Sequence, residues 1–272
     1  VGRGANPSPE VRETFDELVF TGSGLIPRNL LLTQTGNDLV VSFAGVDDTK
    51  VILKNFALEN LDNLPIPGGL HGQIGNILFD GDTTSKDSFD VFDADSTRHQ
   101  TFNRNTVTFL NELNNNVLGF RNSDDVINSQ GGNDFIAGLS GNDLLRGGDG
   151  NDTLDGGIGA DTLTGGRGND VLNLGRDRDV DTVLYYNGDG SDRVNRFLRG
   201  GGGDLIGLID IANIDVVVNR NGTEFRLGDG VAGNQGFGAG ELLVKLNGTT
   251  GFTADNISLN LAANNTAQFS FV

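Results

Sequence analysis

Cysteine, methionine and tryptophan are absent from this chain of 272 residues. Without cysteine there is no disulfide, no thiolate nucleophile and no zinc–thiolate centre. Without methionine, Val1 is not a natural translation start, so the expectation is a processed product or an excerpt of a longer chain. No apolar run approaches the roughly 20 residues that span a bilayer, and the N-terminus carries no secretory signal pattern. Bases are also scarce. Nineteen stand against 37 acids, and the net charge of −18 opposes binding to nucleic acid or to an anionic membrane. Cations are the natural partners of such a chain.

Catalytic signatures are missing as well. The two histidines, His71 and His99, do not sit in H-E-x-x-H. There is no G-x-S-x-G elbow and no G-K-[ST] phosphate loop. Gly228, Gly230 and Gly233 spell G-x-G-x-x-G, but no helical pattern follows, so a dinucleotide site is not expected. Asp80, Asp82, Asp90, Asp93 and Asp95 are read as a solvated loop in preference to a carboxylate cluster. The expectation is a protein that is not an enzyme.

Glycine is abundant, at 42 residues, while apolar residues reach only 36%. Glycine raises the entropic cost of ordering the backbone, so something besides hydrophobic burial must help to hold the fold. The glycines are periodic. A nine-residue frame from residue 120 gives FRNSDDVIN, SQGGNDFIA, GLSGNDLLR, GGDGNDTLD, GGIGADTLT and GGRGNDVLN. The sixth position is always aspartate: Asp125, Asp134, Asp143, Asp152, Asp161 and Asp170. The eighth is always aliphatic: Ile127, Ile136, Leu145, Leu154, Leu163 and Leu172. A disordered Gly/Asp linker has no reason to keep that aliphatic position. The last three repeats match G-G-x-G-x-D-x-U-x in full, and the first two are degenerate on the glycine side, as terminal repeats often are.

The pattern suits calcium, a hard cation that takes 6–8 oxygen ligands. Carboxylates supply charge, and glycine-rich turns supply inward-facing carbonyls. The x-U-x triplet reads as a short strand with its aliphatic side chain inside. Two nonapeptides then make one coil, and turns 18 residues apart stack. That pairs Asp125 with Asp143, Asp134 with Asp152, Asp143 with Asp161, and Asp152 with Asp170. Empty, such turns hold repelling carboxylates, so calcium binding and folding are expected to be one equilibrium.

The nonapeptides 147–155, 156–164 and 165–173 resemble the repeat of the RTX, or hemolysin-type calcium-binding, family. The resemblance covers about a fifth of the chain and implies a parallel β-roll at 120–175. With flanks read as a β-rich module at 1–119 and a β-rich capping module at 176–272, the fold expected is all-β. It implies ligands from carbonyls two and four plus the aspartate of one turn, and from carbonyls one and three plus the aspartate of the next stacked turn. One site would use Gly148, Gly150 and Asp152 with Gly165, Arg167 and Asp170. A second would use Leu139, Gly141 and Asp143 with Gly156, Ile158 and Asp161. A third would use Gln130, Gly132 and Asp134 with Gly147, Asp149 and Asp152. The most N-terminal would use Arg121, Ser123 and Asp125 with Gly138, Ser140 and Asp143, where Ser123 replaces glycine. Segment 179–192 resembles the one that often closes RTX arrays. Within it, Asp189 and Asp192 of NGDGSD suit either one more ion or a turn. Asp177, Asp179 and Asp181 read as a capping turn in preference to the start of an EF-hand loop, whose glycine and distal glutamate are missing.

Family members usually leave Gram-negative cells unfolded through a type I exporter and fold in external calcium, which implies an extracellular or cell-surface location. The apolar end QFSFV fits that export signal, but lacks the acidic residue that often precedes it. Affinities of about 10⁻⁴–10⁻³ M would keep the sites empty in the cytosol.

The flanks read as short strands at 30–34, 39–43, 50–54, 182–186, 214–218 and 223–227, with 106–117 as strand or short helix and a hint of helix at 9–18. Residues 24–32 and 251–259 share a faint echo that hints at related β modules. Three functions remain open on sequence alone. The favoured one is a secreted structural subunit of a matrix, surface layer or filament that self-associates. The others are the C-terminal calcium and secretion module of a larger enzyme or toxin, and a calcium-dependent adhesin.

Overall fold

The computed structural model describes residues 18–46, 49–61, 64–65, 73–74, 77–79, 89–92, 94–200, 202–211, 213–228, 238–250, 257–261 and 267–271. These residues form strands and two short 3-10 helices, Pro27–Asn29 and Leu58–Leu61, with no α-helix among them. The chain divides into two compact units, Val1–Ser96 with Thr106–Asn111, and Thr97–Asn105 with Glu112–Val272. Residues 97–105 and 112–119 therefore belong to the same unit as the repeats.

In the second unit, the repeats wind into a parallel coil. One sheet runs in the order Asn116–Leu118, Phe135–Ser140, Thr153–Ile158, Val171–Asn173, Asp192–Asn195 and Leu242–Asn247, then antiparallel Gly222–Leu227 and Ile214–Asn219. The other stacks Val126–Asn128, Leu144–Asp149, Thr162–Arg167, Thr182–Tyr186 and Leu205–Ile209 in parallel, then adds Ala267–Phe271 and Ile257–Leu261 as antiparallel strands.

The eighth-position aliphatics set the register. Val117, Ile136, Leu154, Leu172, Val194 and Leu246 align rung on rung. On the facing sheet, Ile127, Leu145, Leu163, Val183 and Ile206 do the same. All eleven are fully buried. A one-residue slip would turn a column to solvent, so burial fixes the pairing.

Glycine is required where turns stack. Gly148 and Gly150 have φ of +88° and +142°, and a Cβ on either would strike the carbonyl oxygen of Gln130 or Gly132 in the preceding coil. Where the second and third repeats lack that glycine, Gln130 (φ +70°) and Leu139 (φ +79°) keep the left-handed backbone with a side chain attached. Neither residue type favours this conformation, so these turns are strained.

In the first unit, Leu30–Thr35, Asp38–Phe43 and Lys50–Leu53 form an antiparallel sheet joined by a tight turn at Gly36. Its inner face buries Leu30, Leu32, Leu39, Val41 and Phe43. Phe89–Val91 and Val107–Phe109 pair in parallel. The segment 106–117, expected as strand or short helix, is two strands, 107–109 here and 116–118 in the other unit. The helix hint at 9–17, His71, Asp80, Asp82, Asp93, Gly230, Gly233 and the segment 251–256 lie outside the described residues; Leu18 itself is in a two-residue strand, Leu18–Val19. Asp90 is buried on a strand and Asp95 is exposed. Among the described residues, no helix is long and apolar enough to cross a membrane.

Candidate metal centre

Each sixth-position aspartate ends a turn immediately before a strand, and is buried at 0–3% exposure. Burying that many carboxylates is costly unless each oxygen finds a partner. At Asp125 both do, Oδ2 accepting from Phe120 N–H and Oδ1 from the Ser123 hydroxyl; in the later repeats Oδ1 does. The backbone N–H of Asp125 donates to Asp143 Oδ1 at 2.7 Å, and that of Asp143 to Asp161 Oδ1 at 2.8 Å. On the opposite edge, Asp134 N–H donates to Asp152 Oδ1 at 2.8 Å and Asp152 N–H to Asp170 Oδ1 at 2.7 Å. These are the four pairings expected from stacking at 18 residues. The aspartate carbonyls join the same ladder: Asp125 accepts from Leu144 N–H, Asp134 from Thr153, Asp143 from Thr162 and Asp152 from Val171.

The second oxygen is different. Oδ2 of Asp134, Asp152, Asp161 and Asp170 is buried with no hydrogen-bond partner. At Asp152 it faces its own repeat's Gly147, where the carbonyl of Gly165 from the next coil also converges. Asp143 Oδ2 lies in the same way against Gly138 with the carbonyl of Gly156, and Asp161 Oδ2 against Gly156.

Other carbonyls named by the resemblance fall into two groups. Those of Ser123, Gln130, Gly132, Leu139, Gly141, Gly148 and Gly150 face the glycine 18 residues further on, in the next coil. Those of Ser140, Ile158 and Arg167 accept N–H from Ser123, Gly141 and Gly150 of the coil before. A carbonyl has two lone pairs, so one such bond leaves a site for a cation. Gly147 O also takes the Ser129 hydroxyl, Arg121 O takes Arg104 Nη1 at 2.7 Å, and Asp149 N–H donates to Gln130 O at 2.8 Å.

Burial pushes these carboxyls up. Asp134 and Asp152 rise to about 7, with Asp152 and Asp170 respectively adding repulsion. Asp161 rises to about 8 through burial and the charges of Asp143, Asp181 and Asp177. Asp170 rises to about 6, with Asp189 adding repulsion. Backbone donors pull each of them back in part. Turns of this kind take up protons at neutral pH unless a cation replaces them.

The donor set is all oxygen, partly anionic and rich in carbonyls, which fits calcium and no soft metal. Among the described residues, no three His, Cys, Asp or Glu side chains cluster, so carbonyls must supply most of any ligand shell. Residues 122–145 and 146–181 match the RTX calcium-binding nonapeptide repeat (4 copies). The segment is an RTX array. No curated protein and no solved structure matches the chain.

Beyond the nine-residue frame, Asp192, which the sequence offers as an ion ligand or a turn, and Asp181, read as part of a capping turn, carry the RTX ladders onward, together with Asp204, which no motif marks. Asp161 N–H donates to Asp181 Oδ1 at 2.9 Å, Asp181 N–H to Asp204 Oδ1 at 3.0 Å, and Asp170 N–H to Asp192 Oδ1 at 3.1 Å. Each of Asp181, Asp192 and Asp204 is followed two residues later by an aliphatic of the buried columns, Val183, Val194 or Ile206. That Asp-x-aliphatic triplet is the signal that survives once the nine-residue spacing is lost. A second ladder runs outside the first at position five, where Asn114, Asn133 and Asn151 accept N–H from Asn133, Asn151 and Asn169 at 2.7–2.9 Å.

Proposed function

We propose that this chain is an extracellular, non-catalytic structural protein whose RTX coils fold when external calcium fills the turns, and which then associates with further copies of itself. The observation that carries the calcium part is the row of buried, unpartnered Oδ2 atoms at Asp134, Asp152, Asp161 and Asp170. Bound between stacked turns, calcium supplies the positive charge that these oxygens lack. The chain's own residues do the rest. Sixth-position aspartates and the carbonyls of Arg121, Ser123, Gln130, Gly132, Gly138, Leu139, Ser140, Gly141, Gly147, Gly148, Asp149, Gly150, Gly156, Ile158, Gly165 and Arg167 make the ligand set, and the aliphatic columns set the spacing of the turns.

Self-association is supported by how the first sheet of this unit ends. Its last strand, Ile214–Asn219, pairs on one side with Gly222–Leu227, and no strand pairs its other side among the described residues. It carries Val216, Val217 and Val218 and none of the lysines or prolines that usually blunt an edge.

Light scattering across a calcium titration, paired with far-UV circular dichroism, tests the reading. Gain of β signal followed by growth past monomer mass is the expected result. Gain of β signal in a persistent monomer would move the function to a calcium module serving a larger enzyme or toxin. A chain with the same β signal in chelator and in millimolar calcium would overturn both.

A further inference from the structure

The RTX match ends at residue 181, yet the turn that follows repeats the geometry of the array. Segment 187–195 reads NGDGSDRVN, which is the nonapeptide with asparagine at its first position and Val194 at its eighth. An inserted stretch lengthens the coil, so that Asp170 and Asp192 stand 22 residues apart instead of 18.

Bond for bond, the displaced turn stands on turn 165–170 as that turn stands on 147–152. Gly168 N–H donates to Asp189 O at 2.7 Å, as Gly150 N–H donates to Arg167 O at 2.8 Å. Arg193 N–H donates to Asp170 O at 2.8 Å, as Val171 N–H donates to Asp152 O at 2.8 Å. Ser191 N–H reaches Asn169 Oδ1 at 3.2 Å, as Asn169 N–H reaches Asn151 Oδ1 at 2.9 Å. Gly190 has φ +104° and lies against the carbonyl of Gly168, as Gly168 lies against that of Gly150. Asp170 Oδ2, within a side chain exposed at only 1%, has no hydrogen-bond partner and faces Gly165, the place that Asp152 Oδ2 holds at Gly147.

We infer that residues 187–195 are a displaced repeat, and that turns 165–170 and 187–192 enclose a further calcium site carried by the carboxylates of Asp170 and Asp192. The inference rests on the calcium reading of the array. The inserted stretch moves the chain sideways without breaking the stack, so the calcium-bound region extends past the last regular repeat. Ser191 also ties this turn to the strand Leu242–Asn247, its hydroxyl donating to Leu242 O at 2.6 Å. An ion here therefore couples the array to a strand some fifty residues further along the chain.

The chain has a built-in reporter for this one turn. Its only tyrosines are Tyr185 and Tyr186, it has no tryptophan, and the Tyr185 hydroxyl donates to Gly190 O at 2.6 Å. Terbium, replacing calcium in the full chain, will emit under tyrosine excitation when it occupies the displaced turn. Asp192→Asn keeps an acceptor for Asp170 N–H but removes the charge. It is expected to bind one calcium fewer by titration calorimetry and to lose at least tenfold in tyrosine-excited emission. Asp125→Asn, at the far end of the array, is expected to weaken calcium binding but keep the emission. If Asp192→Asn retains both the ion count and the emission, the inference is overturned. Should that variant fail to fold, the folded parent decides, because absent tyrosine-excited emission overturns the site equally. A parent that binds no calcium would overturn the array reading and this inference together.

Discussion

The sheet at residues 30–53 and the array at 120–173 are both β structures with dry aliphatic interiors, but only one satisfies itself. In the sheet, Leu30, Leu32, Leu39, Val41 and Phe43 fill the inner face, and the backbones of Leu30–Thr35 and Asp38–Phe43 pair along their full lengths. A close ion pair, Lys54 to Asp38 at 2.6 Å, lies at the surface. The array buries its columns just as completely, yet the turns of Asp134, Asp152, Asp161 and Asp170 also bury a carboxylate with one oxygen unanswered. Apolar packing stabilises either region. Only in the array does the polar part of the structure demand a partner from outside the chain, because an unpaired buried charge costs more than the burial around it returns.

The largest consequence is for calcium removal. At calcium 100-fold above its dissociation constant, each site contributes about 2.7 kcal/mol. Chelation should therefore speed hydrogen exchange at the amides of Asp134, Asp143 and Asp152 by at least about 100-fold, while those of 30–43 hold. Equal acceleration in both regions would break the comparison.

Next in size is a pair of substitutions. Asp152→Ala removes the acceptor of Asp134 N–H and a carboxylate from two stacked turns. The lost hydrogen bond alone costs about 1–3 kcal/mol, and the calcium midpoint for folding should rise at least tenfold. Leu39→Ala in the sheet should cost about 2–5 kcal/mol whether calcium is present or not. Denaturant melts with and without calcium separate the two behaviours, and a calcium-independent Asp152→Ala defect would contradict the shared-ligand picture.

Acidity acts with opposite sign in the two regions. Burial first, then neighbouring carboxylates, raise Asp134 and Asp152 to about 7 and Asp161 to about 8 in the folded coil. These groups bind more protons folded than unfolded, so their contribution is full below about pH 4 and is lost as pH rises through 7–8. The metal-free array should thus be most stable in acid. In calcium the ions compete with those protons, and affinity should increase between pH 6 and 8. Asp38 is lowered, first by its hydrogen bond from Lys54 and then by that from Asn55. Its contribution is present above its unfolded value of 3.8 and is lost as pH falls through its lower folded value. Exchange measured at pH 3, 5 and 8 in chelator reads both slopes, and a metal-free array that strengthens with pH would refute this account.

The smallest effect belongs to the outer asparagine ladder. Asn133→Ala removes an exposed acceptor that water can replace, so stability should change by no more than about 0.5 kcal/mol. A larger loss would mean that position five, and not the ion alone, holds the turns together.

The sequence alone determined the parts that repeat. Aspartate at every sixth position and an aliphatic at every eighth, from Asp125 to Leu172, are enough to derive two-sided coils, stacking at 18 residues and the four aspartate pairings. Alternation along 30–43 and the turn at Gly36 were equally readable, because local periodicity and turn chemistry dictate both. Tertiary structure decided what is not local. It carried the ladders through Asp181, Asp192 and Asp204, where spacings of 11, 11 and 12 residues no longer announce a repeat. It also paired Asp192–Asn195 with Leu242–Asn247, and held Gln130 and Leu139 in a backbone that their side chains disfavour. The reason is the same in each case. Once a coil is stacked, the next strand must cover its open hydrogen bonds and extend its aliphatic columns, and any segment with Asp-x-aliphatic in reach can do so, whatever length of chain lies between.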